Sequence, residues 1–187
     1  MTVTALDPKT ALILIDLQKG ILAYPTVHPI GEVVKRAAAL ADAFRRHGLP
    51  VVLVNVAGTA PGRTEERRRY RDLSADFSEL IPELHPQPDD ILITKRTSGA
   101  FATTDLEAQL KAKGVTQVVL AGVATASGVE STARQAYEAG FNVTLATDAM
   151  TDVRPEAHEY SLKHVFPRLG ESGSTQDVLD LLAKRSA

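Results

Sequence analysis

Hydrophobic residues in this chain fall into short unbroken runs, with stretches of helical spacing between them. Five runs stand out: Ala11–Ile15 (ALILI), Val51–Val54 (VVLV), Ile91–Ile93 (ILI), Val118–Leu120 (VVL) and Val143–Ala146 (VTLA). None alternates cleanly between apolar and polar positions. Such runs mark strands covered on both faces, and strands of that kind are usually parallel. A weaker signal near Arg168–Ser172 predicts a short sixth strand.

The intervening stretches read as helices. Val33, Ala37, Leu40, Ala41 and Phe44 form one stripe, and Gly48 followed by Pro50 predicts its stop. Thr104 and Glu107 have the spacing of a capping box, with Leu106 and Leu110 as the buried face and Gly114 as the end. Val129, Ala133, Ala136 and Tyr137 form a third stripe that closes at Gly140. Leu162, Val165 and Phe166 suggest a fourth helix, and Val178, Leu181 and Leu182 a fifth. Strand and helix in alternation predict right-handed crossovers. The expected fold is therefore α/β: a doubly wound (Rossmann-like) parallel sheet of about six strands with helices on both faces. Ligands in such folds bind beyond the carboxyl ends of the strands, near the switch in strand order. That places attention on Asp16, Asn55, Lys95, the Gly122–Gly128 turn and Asp148.

One stretch breaks the rhythm. Ala57–Asp90 separates the second and third runs without an apolar run of its own. It far exceeds the roughly 15 residues beyond which connections are usually helical inserts, lids or binding loops. Composition adds exclusions. A length of 187 residues with 44% hydrophobic positions predicts a single domain over residues 1–187 with a full core. Lys and Arg number 21 against 23 Asp and Glu, a net charge of −2, so no charge footprint for nucleic acid or an anionic membrane is present. No apolar run approaches the ~20 residues of a membrane span. The opening MTVTALDPKT lacks the blocks of a signal peptide, and a cytoplasmic location is expected. The chain has no cysteine, which removes disulfides, thiolate metal sites and every thiol nucleophile.

Candidate chemistry gathers at the predicted strand ends. Asp16 closes an all-apolar strand, and two roles fit it: a carboxylate on the cleft floor, or a cap for Leu17–Gly20. Lys95 closes the third strand, either as a rim lysine or as partner to a buried carboxylate or an anion. The stretch VVLAGVATASGVESTARQAY reads as strand, tight turn and helix, whose first N–H groups suit an anion or developing oxyanion. Taken together, IDLQ (15–18), TKRTSGAF (94–101) and AGVATASGVESTARQAYEAGFNVTLATDA (121–149) resemble the isochorismatase-like hydrolase superfamily, also called cysteine hydrolases. The resemblance runs from about residue 9 to about residue 172.

The resemblance implies an Asp–Lys–Cys triad in amidohydrolase members, with Asp16 and Lys95 as the first two positions and the nucleophile position falling on Gly128. It also implies a cis peptide between Val123 and Ala124. Isochorismatases proper resemble this chain in carrying Gly at that third position. They cleave the vinyl ether of isochorismate to pyruvate and a dihydroxy-cyclohexadiene carboxylate, their Asp protonating the enol carbon before water traps the oxocarbenium ion. They carry Tyr where this chain has Ala124, a departure from the pattern of enzymes that act on isochorismate. Metal-bearing members place Asp-x-His after the second strand; here that segment reads NVAGTAPGR, and neither a metal nor another cofactor is expected.

The expected function is a thiol-independent hydrolase acting on a small anionic metabolite such as a vinyl ether. Asp16 and Lys95 are its catalytic pair, beside Gly128. The substrate-binding candidates are Gln18, Arg63, Phe101, Val123 and Ala124; the run Arg63–Arg71 also reads as a solvated helix face. A catalytically idle binding module and a Ser- or Thr-dependent amidase are the alternatives. The five histidines are expected away from the strand ends, with His85 in the insert kept open. Family resemblance further implies a homo-oligomer, dimer or higher, in which the 57–90 insert closes its own or a neighbour's cleft.

Overall fold

The apolar runs pair into one sheet. In the computed structural model, which describes residues 3–65 and 73–186, the strands are β1 (Thr10–Ile15), β2 (Val51–Val56), β3 (Ile91–Lys95), β4 (Gln117–Val123), β5 (Asn142–Thr151) and β6 (Glu171–Gly173). Their order is β3-β2-β1-β4-β5-β6, and every neighbouring pair is parallel. The order reverses between β1 and β4, so their carboxyl ends form the crevice where such folds bind ligands.

Alternation along the strands feeds two cores. Ala11, Ile13 and Ile15 of β1 pack on the face shared with helices α3 (Leu106–Ala112) and α4 (Glu130–Glu138). Leu12 and Leu14 face the opposite layer, built from α2 (Ile30–Arg46) and α6 (Thr175–Ala183). Every β1 residue is buried, as a central strand covered on both sides requires. Each fully buried Leu or Phe, such as Leu40 and Phe44 on α2, contributes roughly 1.5–3 kcal/mol of burial. A short helix α1 (Lys19–Leu22) follows β1, and α5 (Pro155–Tyr160) follows β5 and widens into a π-turn at Ser161–Val165. Among the described residues no helix is long and apolar enough to cross a membrane.

Several local expectations are corrected. The capping box at Thr104 and Glu107 does not form: the Thr104 hydroxyl accepts from Leu106 N–H and donates to Ala100 O, while Glu107 pairs with Lys111 one turn on. A full capping box stands instead at Ser174 and Asp177, at the start of α6. Tyr137 is 54% exposed, because its turn of α4 carries it past the face that buries Ala133 and Ala136. The fifth strand extends beyond Ala146 to Thr151. Residues after Leu145 leave the β4 ladder, and pairing resumes at Gly122 with Met150. The insert docks through a lone bridge between Gln18 and Leu80 and a 3-10 turn at Pro82–Leu84, burying Phe77, Ile81 and Leu84. The part of the Arg63–Arg71 run over residues 66–71 lies outside the described residues.

Gly122 sets the spacing at the crevice. Its φ is +121°, and a Cβ there would stand 2.1 Å from Ile15 O. Only glycine lets β4 press against the end of β1 in this way. Gly122→Ala therefore costs about 3 kcal/mol or more, from strain and overpacking together. Gly31→Ala, in α2 with nothing within 4 Å of the new methyl, stabilises by roughly 0.5 kcal/mol. Urea unfolding of the two variants checks both signs.

Candidate active site

The site begins where β1 runs out. Asp16 takes φ +53°, a left-handed conformation that Asp tolerates better than most residues. Its N–H donates to Val54 O at 2.9 Å and its carbonyl accepts from Gln18 N at 2.9 Å, so the turn is held from both sides. That geometry leaves the carboxyl at the crevice floor rather than capping α1, whose N-terminus carries no side-chain cap. Lys95, at the end of β3, is 2% exposed, and its Nζ donates to Asp16 Oδ2 at 2.7 Å. The other oxygen, Oδ1, is buried with no protein partner.

Opposed forces act on the Asp16 proton. Burial penalises the charged carboxylate, while the Lys95 charge and hydrogen bond favour it. Burial prevails, and the pKa of Asp16 is pushed up to about 6. The native state thus holds a proton that the unfolded chain releases. Asp16's contribution to stability is fully present below its ordinary pKa of 3.8 and is lost as pH rises through about 6.

Gly128 closes the third side, in the π-turn Thr125–Val129 that leads into α4. A Cβ on Gly128 would lie 2.9 Å from Ile15 Cγ2 and 3.1 Å from Asp16 Oδ2. A side chain starting at Gly128 would press on Ile15 and on the Asp16 carboxylate, each of which would have to shift to admit it. The Val123–Ala124 peptide is cis. Val123, Ala124, Ser127 and Gly128 join Asp16 and Lys95 in lining a cavity of about 1020 Å³, roomy enough for a small metabolite.

Three predicted binding residues lie outside that lining. Gln18 is fully buried; its Nε2 donates to Val56 O and Phe77 O, and its Oε1 accepts from Val56 N–H at 2.6 Å. The side-chain amide completes the backbone bonding where β1 has turned away, and ties the insert down. Phe101 packs in the core against Phe141, with ring centroids 5.9 Å apart, because the loop after β3 folds back onto α4. Arg63 is exposed, while its neighbours Gly62 and Thr64 line the cavity. Adjacent side chains in this irregular segment project to different sides. His85 is exposed at the end of the 3-10 turn and lies outside the lining as well.

The sequence reading missed a second layer. Asp152, after β5, is buried and accepts from Ala126 N–H and Val153 N–H, both at 2.8 Å, and from Arg154 N–H at 3.2 Å. It occupies the Ala126 N–H in the turn whose N–H groups were expected to suit a ligand anion. Asp148, one of the residues expected at the strand ends, accepts from the N–H and hydroxyl of Thr175 and pairs with Arg36. Two histidines do reach the strand ends, against expectation. His158 Nδ1 is 2.8 Å from Thr125 Oγ1, His28 Nδ1 is 3.0 Å from Thr151 Oγ1, and the two rings meet edge to face at 4.7 Å. Burial, and then His28, hold His158 below the usual histidine pKa. Their only sequence signals were a second acidic residue beyond Asp148 and a histidine one turn into the next helix. Among the described residues no group of three or more His, Asp or Glu side chains is placed to hold a metal ion.

Removing one partner of the buried pair exposes the other. Lys95→Met is expected to cost about 3–5 kcal/mol at pH 8, where Asp16 is ionised. The loss shrinks at pH 5, where the proton already neutralises the carboxyl. Denaturant unfolding at the two pH values measures the difference.

Comparison with known proteins places the chain in a family. The isochorismatase domain family matches residues 10–177. The chain is 41% identical over 179 residues to the isochorismatase family protein YwoC of Bacillus subtilis (strain 168), covering 92% of this chain and 93% of that one. An isochorismatase family protein from Burkholderia thailandensis superposes with a TM-score of 0.92 at 39% identity, over 97% of this chain and 100% of that one. N-carbamoylsarcosine amidase from Thermoplasma acidophilum superposes with a TM-score of 0.72 at 26% identity, over 89% and 96% of the two chains. With the matched model spanning nearly the whole sheet and its crevice, this chain belongs to the isochorismatase family of hydrolases.

Proposed function

We propose that this protein hydrolyses a small anionic vinyl ether by general-acid catalysis from Asp16, without a covalent intermediate. The observation that carries the reading is the state of Asp16 on the cavity floor: one oxygen held by Lys95, the other buried without a hydrogen-bond partner, and a pKa raised to about 6. A carboxyl poised near neutrality suits proton transfer at a carbon that must be protonated. Asp16 gives its proton to the terminal carbon of the enol ether, and the ether carbon becomes an oxocarbenium ion. Water adds to that carbon, and the resulting hemiketal breaks its bond to the alcohol oxygen. The products are an alcohol and a keto acid, with one water consumed and the Asp16 proton restored. Lys95 holds the carboxyl in place and steadies the carboxylate left after transfer.

Amide hydrolysis has less support. It calls for a nucleophile in the cavity beside a base. The chain has no thiol, and Gly128 supplies no side chain. Thr125 and His158 make a hydroxyl–imidazole contact, but Thr125 is fully buried and outside the cavity lining. Ser127 lines the cavity without a histidine within hydrogen-bond reach among the described residues.

Two measurements test the reading. Asp16→Asn is expected to lower kcat at least 10²-fold with an unchanged far-UV circular dichroism spectrum. The acid form is the active one, so kcat/KM should be flat below about pH 6 and fall about tenfold per unit above it. A rate that climbs through pH 6 would mark Asp16 as a base and favour amide chemistry. Retention of vinyl ethers with no turnover would make the protein a binding module.

A further inference from the structure

The cavity carries one cation beyond Lys95 among its described lining residues: Arg154, on the segment that leaves β5. The surrounding charges are already committed. Lys95 is engaged by Asp16 at 2.7 Å, and Asp152 has both oxygens on backbone N–H groups. Arg154's guanidinium has no hydrogen bond or ion pair with any described residue, although Asp16, Glu65 and Asp152 share the lining with it.

Its backbone, by contrast, is fixed. Arg154 N–H donates to Asp152 Oδ1 and its carbonyl accepts from His158 N–H at 3.1 Å. Pro155 follows, which keeps Arg154 extended, at φ −124° and ψ 118°. A free guanidinium on a pinned root, at the mouth of a cavity with an acid on its floor, is arranged for a planar anion. Glu65, an exposed carboxylate of the insert, also lines the cavity and disfavours a second negative charge on the ligand.

We propose that Arg154 is the specificity-determining residue of this site, binding the single carboxylate of a monocarboxylated enol ether while Asp16 faces its enol carbon. The proposal deepens the vinyl-ether reading and rests on it. It assigns to Arg154 the anion recognition that the sequence had placed on Arg63, and it makes substrates with two carboxylates poor ones.

The test uses 2-(cyclohexyloxy)acrylate and its methyl ester, with the wild type, Arg154→Gln and Arg154→Lys. Arg154→Gln should raise KM for the acid roughly ten- to hundredfold, the range of a charged hydrogen-bonded contact, with kcat within about threefold. KM for the ester should not move, and Arg154→Lys should recover part of the loss. KM for the acid should also rise with salt in the wild type and not in Arg154→Gln. Equal effects on acid and ester, or none on KM, overturn the assignment while leaving the hydrolase reading intact. If neither compound turns over, the saturated analogue 2-(cyclohexyloxy)propanoate is titrated calorimetrically. Binding that Arg154→Gln weakens tenfold upholds Arg154 and removes the hydrolase reading; binding that is absent, or equal in both proteins, overturns Arg154.

Discussion

A carboxyl and an ammonium share one buried floor at the end of β1, and the rest of the crevice is shaped around that contact. Asp16 is forced into it by a left-handed turn that any β-branched residue would resist, and Lys95 reaches it from two strands away. Burial weakens the ionised pair just enough to bring the acid near neutrality. The same desolvation that costs stability at pH 7 makes the group useful as a proton donor, a common bargain at functional sites.

Close backbone approaches build the walls around that floor. Gly122 presses β4 onto the end of β1, and Gly128 lets the Asp16 carboxylate lie 3.1 Å from where a side chain would begin. Asp152 then secures the turn between them by taking the N–H of Ala126. Gln18 does the matching work on the other flank, replacing lost ladder bonds with its own amide and anchoring the insert. Neither Asp152 nor Gln18 is needed to contact a ligand for the site to exist; each holds a piece of backbone that does.

The legible parts of the site were the ones carried by strand ends. Asp16 and Lys95 follow apolar runs directly, and strand pairing alone brings such residues to one edge of a sheet. Gly128 was legible through the motif around it. What could not be read were side-chain directions in irregular segments. Arg63 and Phe101 sit beside cavity-forming stretches, yet one turns to solvent and the other into the core against Phe141. Arg154 and the His28–His158 pair escaped notice because β5 runs past Ala146, after a break in its register that no periodicity announces.

From the sequence by itself came the alternating plan, the parallel sheet with two helical layers, and the identity of the acid, the amine and the missing thiol. These depend on local pattern and on which residue types are present, both of which are written along the chain. The tertiary structure alone decided the proton affinity of Asp16, which of its oxygens has a partner, and which cation among the described lining residues has none. Those depend on burial and on distances between residues far apart in the chain, and desolvation has no value until the fold has placed every neighbour.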